Sequence, residues 1–353
     1  MRDLLRRLAE FEATDLPVLS VYLDMRPQAT GENPGRRTSL TILRDRLSKI
    51  EGTLGPRGDA FDSFRADAER IQTFLDHEFD RSSQGLAIFA CSGAALWETV
   101  ETGTPFEDEV GADAVPQLFQ LARLLDEQQT VVVAVVDTNT ARLFLSRIGR
   151  LDEAGGPDED PVHHQKRRTG GLSQANYQRH IDKHHADFAQ EAAEAIERLV
   201  EQYGAERVIL AGDEVALTPL MGALSERVKE RVGEVLRVDI RAPRDAVAAE
   251  IAPVLERMEA VASSAIADQV VAAVRSDGLG AAGLDATRQA LANGQVDLLV
   301  LDATAELDDE QRNELVRLAA TTGAEVEVVE AHPGLARFGG VGALLRYRLS
   351  VRD

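Results

Sequence analysis

The stretch from Lys166 to His180, KRRTGGLSQANYQRH, gathers residue types that could act on an activated ester. Gly170 and Gly171 are consecutive, so positive backbone angles are open to them and their main-chain amides lie uncovered for a ligand oxygen. Lys166, Arg167, Arg168 and Arg179, with Lys183 shortly after, supply donors suited to phosphate. Gln174 adds an uncharged donor and acceptor. Such parts can orient a water and stabilise an oxyanion without a strong base, each preorganised donor being worth roughly 3 kcal/mol. The same residues read equally as a solvated glycine turn before a helix, and a glycine pair alone implies no more than that.

Five of the seven histidines, His163, His164, His180, His184 and His185, fall in or beside this stretch. His180 and His184 stand four apart, a spacing at which two imidazoles on one helix can share a metal. No HExxH pattern is present, and a third ligand would have to come from the neighbouring loop or from Asp187. A histidine-based metal-binding protein is therefore kept as an alternative, while the main reading expects no metal and no cofactor.

The elements that must position this stretch follow from periodicity. Thr130 to Ile148 predicts a hairpin turning at Asp137 to Thr140, and residues 152–176, which lack any period, predict a long exposed loop. A helix is expected from Asn176 or Tyr177 to about Tyr203, with Phe188, Ala192, Ile196 and Leu199 on its apolar face. A strand at Arg207–Ala211, a helix at Leu217–Val232 and a strand at Val235–Ile240 follow. Upstream, strands are expected at Leu16–Asp24, Gly85–Cys91 and Ala95–Val100, with helices over 37–51, 59–79 and 116–127. Downstream, a long helix at Arg244–Val274 precedes strands at Val296–Leu301, Glu325–Val329 and Val341–Arg348, alternating with helices. The GLGAAG at 278–283 matches G-x-G-x-x-G, but AAVRSDG before it reads as a helix end, so a connection between helices is expected rather than a nucleotide loop.

The expected fold class is α/β in three domains, each a mixed or parallel sheet with flanking helices: 1–128, 129–245 and 246–353, the last an α/β/α sandwich. Charged residues at 28% and hydrophobic residues at 44% are ordinary for a globular chain. No apolar run nears the length of a membrane span and the start lacks a signal-peptide pattern, so a cytoplasmic protein with no membrane partner is expected. Cys91, the single cysteine, excludes an internal disulfide and reads as a small buried hydrophobe. The net charge of −21 argues against broad nucleic-acid binding, and no DNA partner is expected. The cationic stretch at 166–183 is the local exception, and repulsion by the rest of the surface is screened beyond roughly 8 Å at physiological salt.

Two parts of the chain resemble a known superfamily. Gly170, Gly171, Ser173, Ala175, Tyr177 and Arg179, placed after a hairpin and a basic loop, are similar to the second domain of eukaryotic and archaeal class-1 release factors. GLGAAGLDATRQALANGQVDLLVLDA at 278–303, with its A-L-x-x-G-x-V-D-x-L from Ala290, and the later TTGAEVEVVEA and GGVGALLRY resemble the third domain of release factors and Pelota, related to the kink-turn-binding ribosomal proteins. Both matches, in the right order, make the chain similar to the bacterial and archaeal release-factor-like proteins. Leu172 stands where release factors have glutamine, and Gln174 two positions later gives a Gly-Gly-x-x-Gln register like that of the eukaryotic rescue hydrolases that cleave peptidyl-tRNA.

The resemblance implies hydrolysis of the peptidyl-tRNA ester on the large ribosomal subunit, with Gly170, Gly171 and Gln174 catalytic. Lys166, Arg167, Arg168, Arg179 and Lys183 would bind tRNA or rRNA. It also implies a translational GTPase partner for the C-terminal domain. Neither the Asn-Ile-Lys-Ser motif nor the aromatic-Cys motif that reads stop codons is present, so rescue without codon reading is the expectation. A non-catalytic ribosome- or tRNA-binding factor, using the same basic loop with a degenerate glycine motif, stands beside it.

Overall fold

β-branched and aromatic runs form three sheets, and helices cover their faces. The computed structural model describes residues 2–27, 35–126, 130–147, 150–154 and 174–347, with 174–184 given as helix backbone alone. The chain divides into two units, one made of Met1–Glu127 with Ala260–Asp353 and the other of Gln128–Glu259. No helix among the described residues is long and apolar enough to cross a membrane.

In the first unit, α1 (Arg2–Ala9) leads to β1 (Val18–Asp24), α2 (Gly35–Thr53) and α3 (Asp59–His77). β2 (Gly85–Cys91), β3 (Leu96–Thr102), β4 (Glu109–Asp113) and α4 (Phe119–Asp126) follow. The strands lie in the order β3-β2-β1-β4, and every neighbouring pair is antiparallel. That corrects the mixed or parallel sheet expected here, because β2 and β3 close as a hairpin and the helical excursion from β1 returns in the opposite sense. β4 was not expected, since EVGAD carries no apolar run and becomes a strand only by pairing with β1. One sheet face, with Leu19, Val21, Leu86 and Ile88, packs on Leu43 of α2 and on Phe64, Ile71 and Phe74 of α3. On the other face Tyr22 meets Phe89 and Phe106 edge-on, and its hydroxyl donates to the Gln117 carbonyl at 2.6 Å. Cys91 is fully buried, as its apolar surroundings predict.

The second unit holds β5 (Val131–Val136), β6 (Ala141–Arg147), β7 (Arg150–Glu153), α5 (Gln174–Tyr203) and β8 (Arg207–Gly212). It continues through α6 (Glu214–Ala223), α7 (Glu226–Lys229) and β9 (Val232–Leu236). Its sheet, β7-β6-β5-β8-β9, is mixed: β5 and β9 run parallel to β8, while β6 is antiparallel to both β5 and β7. The run VVVAVV of β5 is buried on both faces, the signature of a central strand. Val132, Ala134 and Val136 face α5 and α6, whereas Val131, Val133 and Val135 meet Val247, Ile251 and Val254 of α8 (Arg244–Arg275). Gly212 ends β8 at φ 146°, where a Cβ would run into the Val136 carbonyl. The single helix expected at Leu217–Val232 is instead α6, α7 and the start of β9. Leu224 and Ser225 are extended, and the Ser225 N–H donates to Glu197 Oε1 at 2.8 Å, which breaks the helix there.

The remainder of the first unit contains β10 (Gly280–Ala282), α9 (Leu284–Ala292), β11 (Val296–Asp302) and α10 (Asp309–Thr322), then β12 (Glu325–Val329), α11 (Pro333–Ala336) and β13 (Val341–Leu345). The sheet β10-β13-β11-β12 has one parallel pair, β11 with β12. Ala267 and Val270 of α8 pack with Val300, Val329 and Leu335, while Leu315, Val316 and Ala319 of α10 are also buried. Asp308 and Gln311 form a capping box at the start of α10, and Gly323 in the left-handed region ends it. Part of GLGAAG is thus the edge strand β10, not a plain connection between helices, because Gly280 and Ala282 pair with Leu344 and Gly342. The two chain segments of this unit are joined by side chains: Arg317 donates to the Ala9 and Phe11 carbonyls, and Asn313 Oδ1 accepts from Leu118 N–H at 2.7 Å and Phe119 N–H at 3.0 Å.

Candidate functional site

Helix α5 sits on its sheet through one face of helical period. Phe188, Ala189, Ala192, Ala193, Ile196, Leu199 and Val200 are buried against β5, β6 and β8. Phe188 is the first buried residue of α5 among those whose side chains are described, whereas the helix backbone begins at Gln174. Fourteen residues separate the two positions, about 21 Å of helix at 1.5 Å per residue. The N-terminal stretch of α5 continues the same helix whose later turns are anchored on the sheet.

The other attachment is edge strand β7. It pairs with β6 from Arg147↔Arg150 to Phe144↔Glu153, and the Ala154 N–H donates to the Leu143 carbonyl at 2.9 Å. Arg142 fixes this end. Its Nε donates to Glu153 Oε1 at 2.9 Å and its Nη2 to Oε2 at 3.3 Å, while Nη1 donates to the carbonyls of Ile240 at 3.1 Å and Ala242 at 2.6 Å. The guanidinium also lies over the Phe144 ring, 5.0 Å from its centroid. One side chain thus holds the last residues before the basic segment to the turn that precedes α8. Neither Arg142 nor Glu153 was singled out from the sequence; the available signal was that Arg142 and Phe144, two apart on a strand, must share a face.

Lys166, Arg167, Arg168, Gly170 and Gly171 lie outside the described residues, as do His163, His164 and Leu172. Gln174, Arg179 and Lys183 fall on the α5 backbone, with side chains outside the described set. The backbone corrects one boundary: the helix begins at Gln174, so Gln174 is its first residue instead of part of a loop reaching 176. Its N–H is accordingly among the four that a helix start leaves without an intrahelical acceptor. β7 shortens the expected loop from the other side. His180 and His184 are one turn apart on the same helix, and His185 is half-buried.

Two titratable groups in the first unit, Asp302 and His332, serve the fold. Asp302, at the end of β11, accepts from the Thr304 N–H and hydroxyl and from the Ala331 and His332 N–H groups. Burial pushes its pKa up, but those hydrogen bonds together hold it below the ordinary value, so it stays ionised and pins the turn after β12. His332 accepts the Leu335 N–H at Nδ1 and reaches Asp268 through Nε2 at 3.3 Å.

Residues 116–256 match the family model described as bacterial archaeo-eukaryotic release factor family 10. The protein pelota homolog of Halobacterium salinarum is 26% identical over 242 residues, which is 63% of this chain and 63% of that protein. The Pyrococcus abyssi homolog is 28% identical over 174 residues, 46% of this chain and 49% of that protein. The chain thus spans between about half and two thirds of the length of these relatives. Among solved structures, one from a model of ribosome-bound archaeal Pelota and ABCE1 is 17% identical, covers 99% of this chain and 95% of its own, and gives a TM-score of 0.45. An archaeal translation termination factor, aRF1, is 20% identical with coverage of 98% and 96% and a TM-score of 0.27. Overlays at that level carry no detail across.

Proposed function

We propose that this chain, release-factor-like over residues 116–256 and Pelota-like in sequence, rescues stalled ribosomes by cleaving the peptidyl-tRNA ester without reading a codon. The amides of Gly170 and Gly171 would stabilise the oxyanion and Gln174 would orient the attacking water. Lys166, Arg167, Arg168, Arg179 and Lys183 would neutralise tRNA or rRNA phosphates. The observation that carries the reading is the mounting of this segment. It joins an edge strand clamped by Arg142 to a helix whose backbone begins at Gln174 and whose first buried residue, among those with described side chains, is Phe188. The cationic segment would meet phosphate locally, since repulsion by the rest of the anionic chain is screened beyond roughly 8 Å.

The division of labour follows the three parts read from the sequence: 1–128 without a codon-reading motif, 129–245 with the chemistry, and 246–353 as the seat of a translational GTPase. Hydrolysis of peptidyl-tRNA on isolated large subunits tests the chemistry. Replacing Gln174 with Ala should slow it by about a hundredfold, the loss typical of one transition-state donor. Equal rates for the two proteins would remove the catalytic role.

The placement of Gln174 at the first helical position supports a second reading, because a side chain fixed to a helix start is less free to follow the glycine pair. In that case the chain binds the ribosome or tRNA through its basic segment and performs no hydrolysis. Ribosome co-sedimentation unchanged by Gln174→Ala, but lost when Arg167 and Arg168 are both replaced with Ala, would be its signature.

A further inference from the structure

Helix α2 is cationic on a chain that is not. It carries five basic and two acidic residues, whereas the chain as a whole has 39 basic and 60 acidic. The other long helices, α3, α5, α8 and α10, each hold more acids than bases. Four of the α2 cations, Arg37, Arg44, Arg46 and Lys49, are exposed. The helix is seated in the core of the first unit by Leu43, with Leu40, Leu47 and Ile50 beside it, and that stripe fixes which face meets solvent. Arg37, Thr41, Arg44 and Ser48 recur at the same spacing on the solvent side. Arg37 and Arg44 therefore stand on one row, about 10 Å apart along the axis.

Neither ion pairing nor helix stability accounts for this row. Elsewhere in the unit cations meet carboxylates: Arg7 stands 2.9 Å from Glu98, Arg65 3.4 Å from Glu69 and Arg288 2.9 Å from Glu314. None of the four exposed α2 cations has such a partner among the described residues. Asp45 lies four residues before Lys49, the spacing at which a helix joins opposite charges, and still makes no ion pair with it. Arg37 sits in the first turn, which holds no acid, and the helix dipole disfavours a cation there. Thr41 and Ser48 are short, and the Thr41 hydroxyl donates back to the Arg37 carbonyl at 2.9 Å, so neither side chain overhangs the guanidinium groups.

We propose that this row of α2 is a contact surface for the phosphodiester backbone of RNA, separate from the basic segment at 166–183. A single anion would satisfy one guanidinium, whereas a backbone whose charge repeats along its length meets Arg37 and Arg44 together. Arg46 and Lys49 add positive field from the flank. Guanidinium forks match phosphate oxygens, and three of the four cations are arginine. Contacts of this kind position a backbone without reading its sequence, in keeping with a first unit that carries no codon-reading motif. The choice of RNA rests on the ribosomal reading given above; the cationic row does not.

The test measures binding of a fluorescein-labelled RNA hairpin to the full chain by anisotropy across a salt series. Arg37→Gln combined with Arg44→Gln removes both charges and keeps a helix propensity close to that of arginine. It should weaken binding about tenfold at low salt and flatten the slope of log K against log salt by about two. Thr41→Glu, which sets a carboxylate one turn from each arginine, should weaken binding in the same direction. Both losses should persist when Arg167 and Arg168 are already alanine, which separates the row from the loop and leaves ester cleavage to its own assay. Arg288→Gln, which takes one cation out of an ion pair, should bind like the parent. Parental affinity and slope in both α2 variants, or an equal loss in Arg288→Gln, would overturn the proposal. Competition by polyglutamate as strong as by unlabelled RNA would assign the row to an acidic protein and overturn it as well.

Discussion

Asp67 shows how much one buried group can carry. It is fully buried on α3; Oδ1 accepts both the N–H and the hydroxyl of Ser92, and Oδ2 has no partner. Burial pushes its pKa up by more than the Ser92 bonds and the Arg70 charge bring it back. A carboxyl whose folded value lies above its unfolded one stabilises fully below the unfolded value, and that contribution is lost as pH rises through the folded value. The parent should therefore lose denaturant resistance relative to an Asp67→Asn protein as pH is raised from about 4 towards neutrality. Parallel midpoints across that range would show that Asp67 ionises in the fold as freely as in the unfolded chain. Nothing in the sequence marks Asp67, because a helix-borne acid looks solvated until the Ser92 turn closes over it. The order of the glycine pair and Gln174, by contrast, is plain in the sequence, and the fold adds only that Gln174 begins the helix.

At the scale of elements, Arg142 ties β7 to the turn before α8. Replacing it with Ala removes two carbonyl partners and the pair with Glu153, which should cost about 1–3 kcal/mol and speed amide exchange at 152–154 and 240–242. Unchanged exchange at both segments would show that β7 is held by its ladder alone. If the clamp positions the basic segment, the same variant should also lower ester cleavage while ribosome binding persists. Gly85–Cys91, an unbroken apolar run, and Glu325–Val329, which alternates glutamate with valine before a second valine, fall where their residues predict. Glu109–Asp113 and Gly280–Ala282 do not announce themselves, since their strand character comes from partners distant in sequence, β1 and β13.

At the scale of the whole molecule, the first and last parts of the chain share one unit through Asn313, Arg317 and the Asp126 carboxylate that takes the Val328 N–H at 2.7 Å. A fragment of residues 128–259 should unfold cooperatively in urea by itself, whereas 1–127 should do so only when 260–353 is supplied. A sharp transition of 1–127 alone would contradict that dependence. The sequence by itself determined the α/β class, the hairpin, the apolar face of α5 and the cationic segment beside the glycine pair, because each is written in residues a few positions apart. Only the tertiary structure decided the pairing of the chain ends and the clamp on β7. Those depend on contacts between residues tens to hundreds of positions apart, whose closeness no local period encodes.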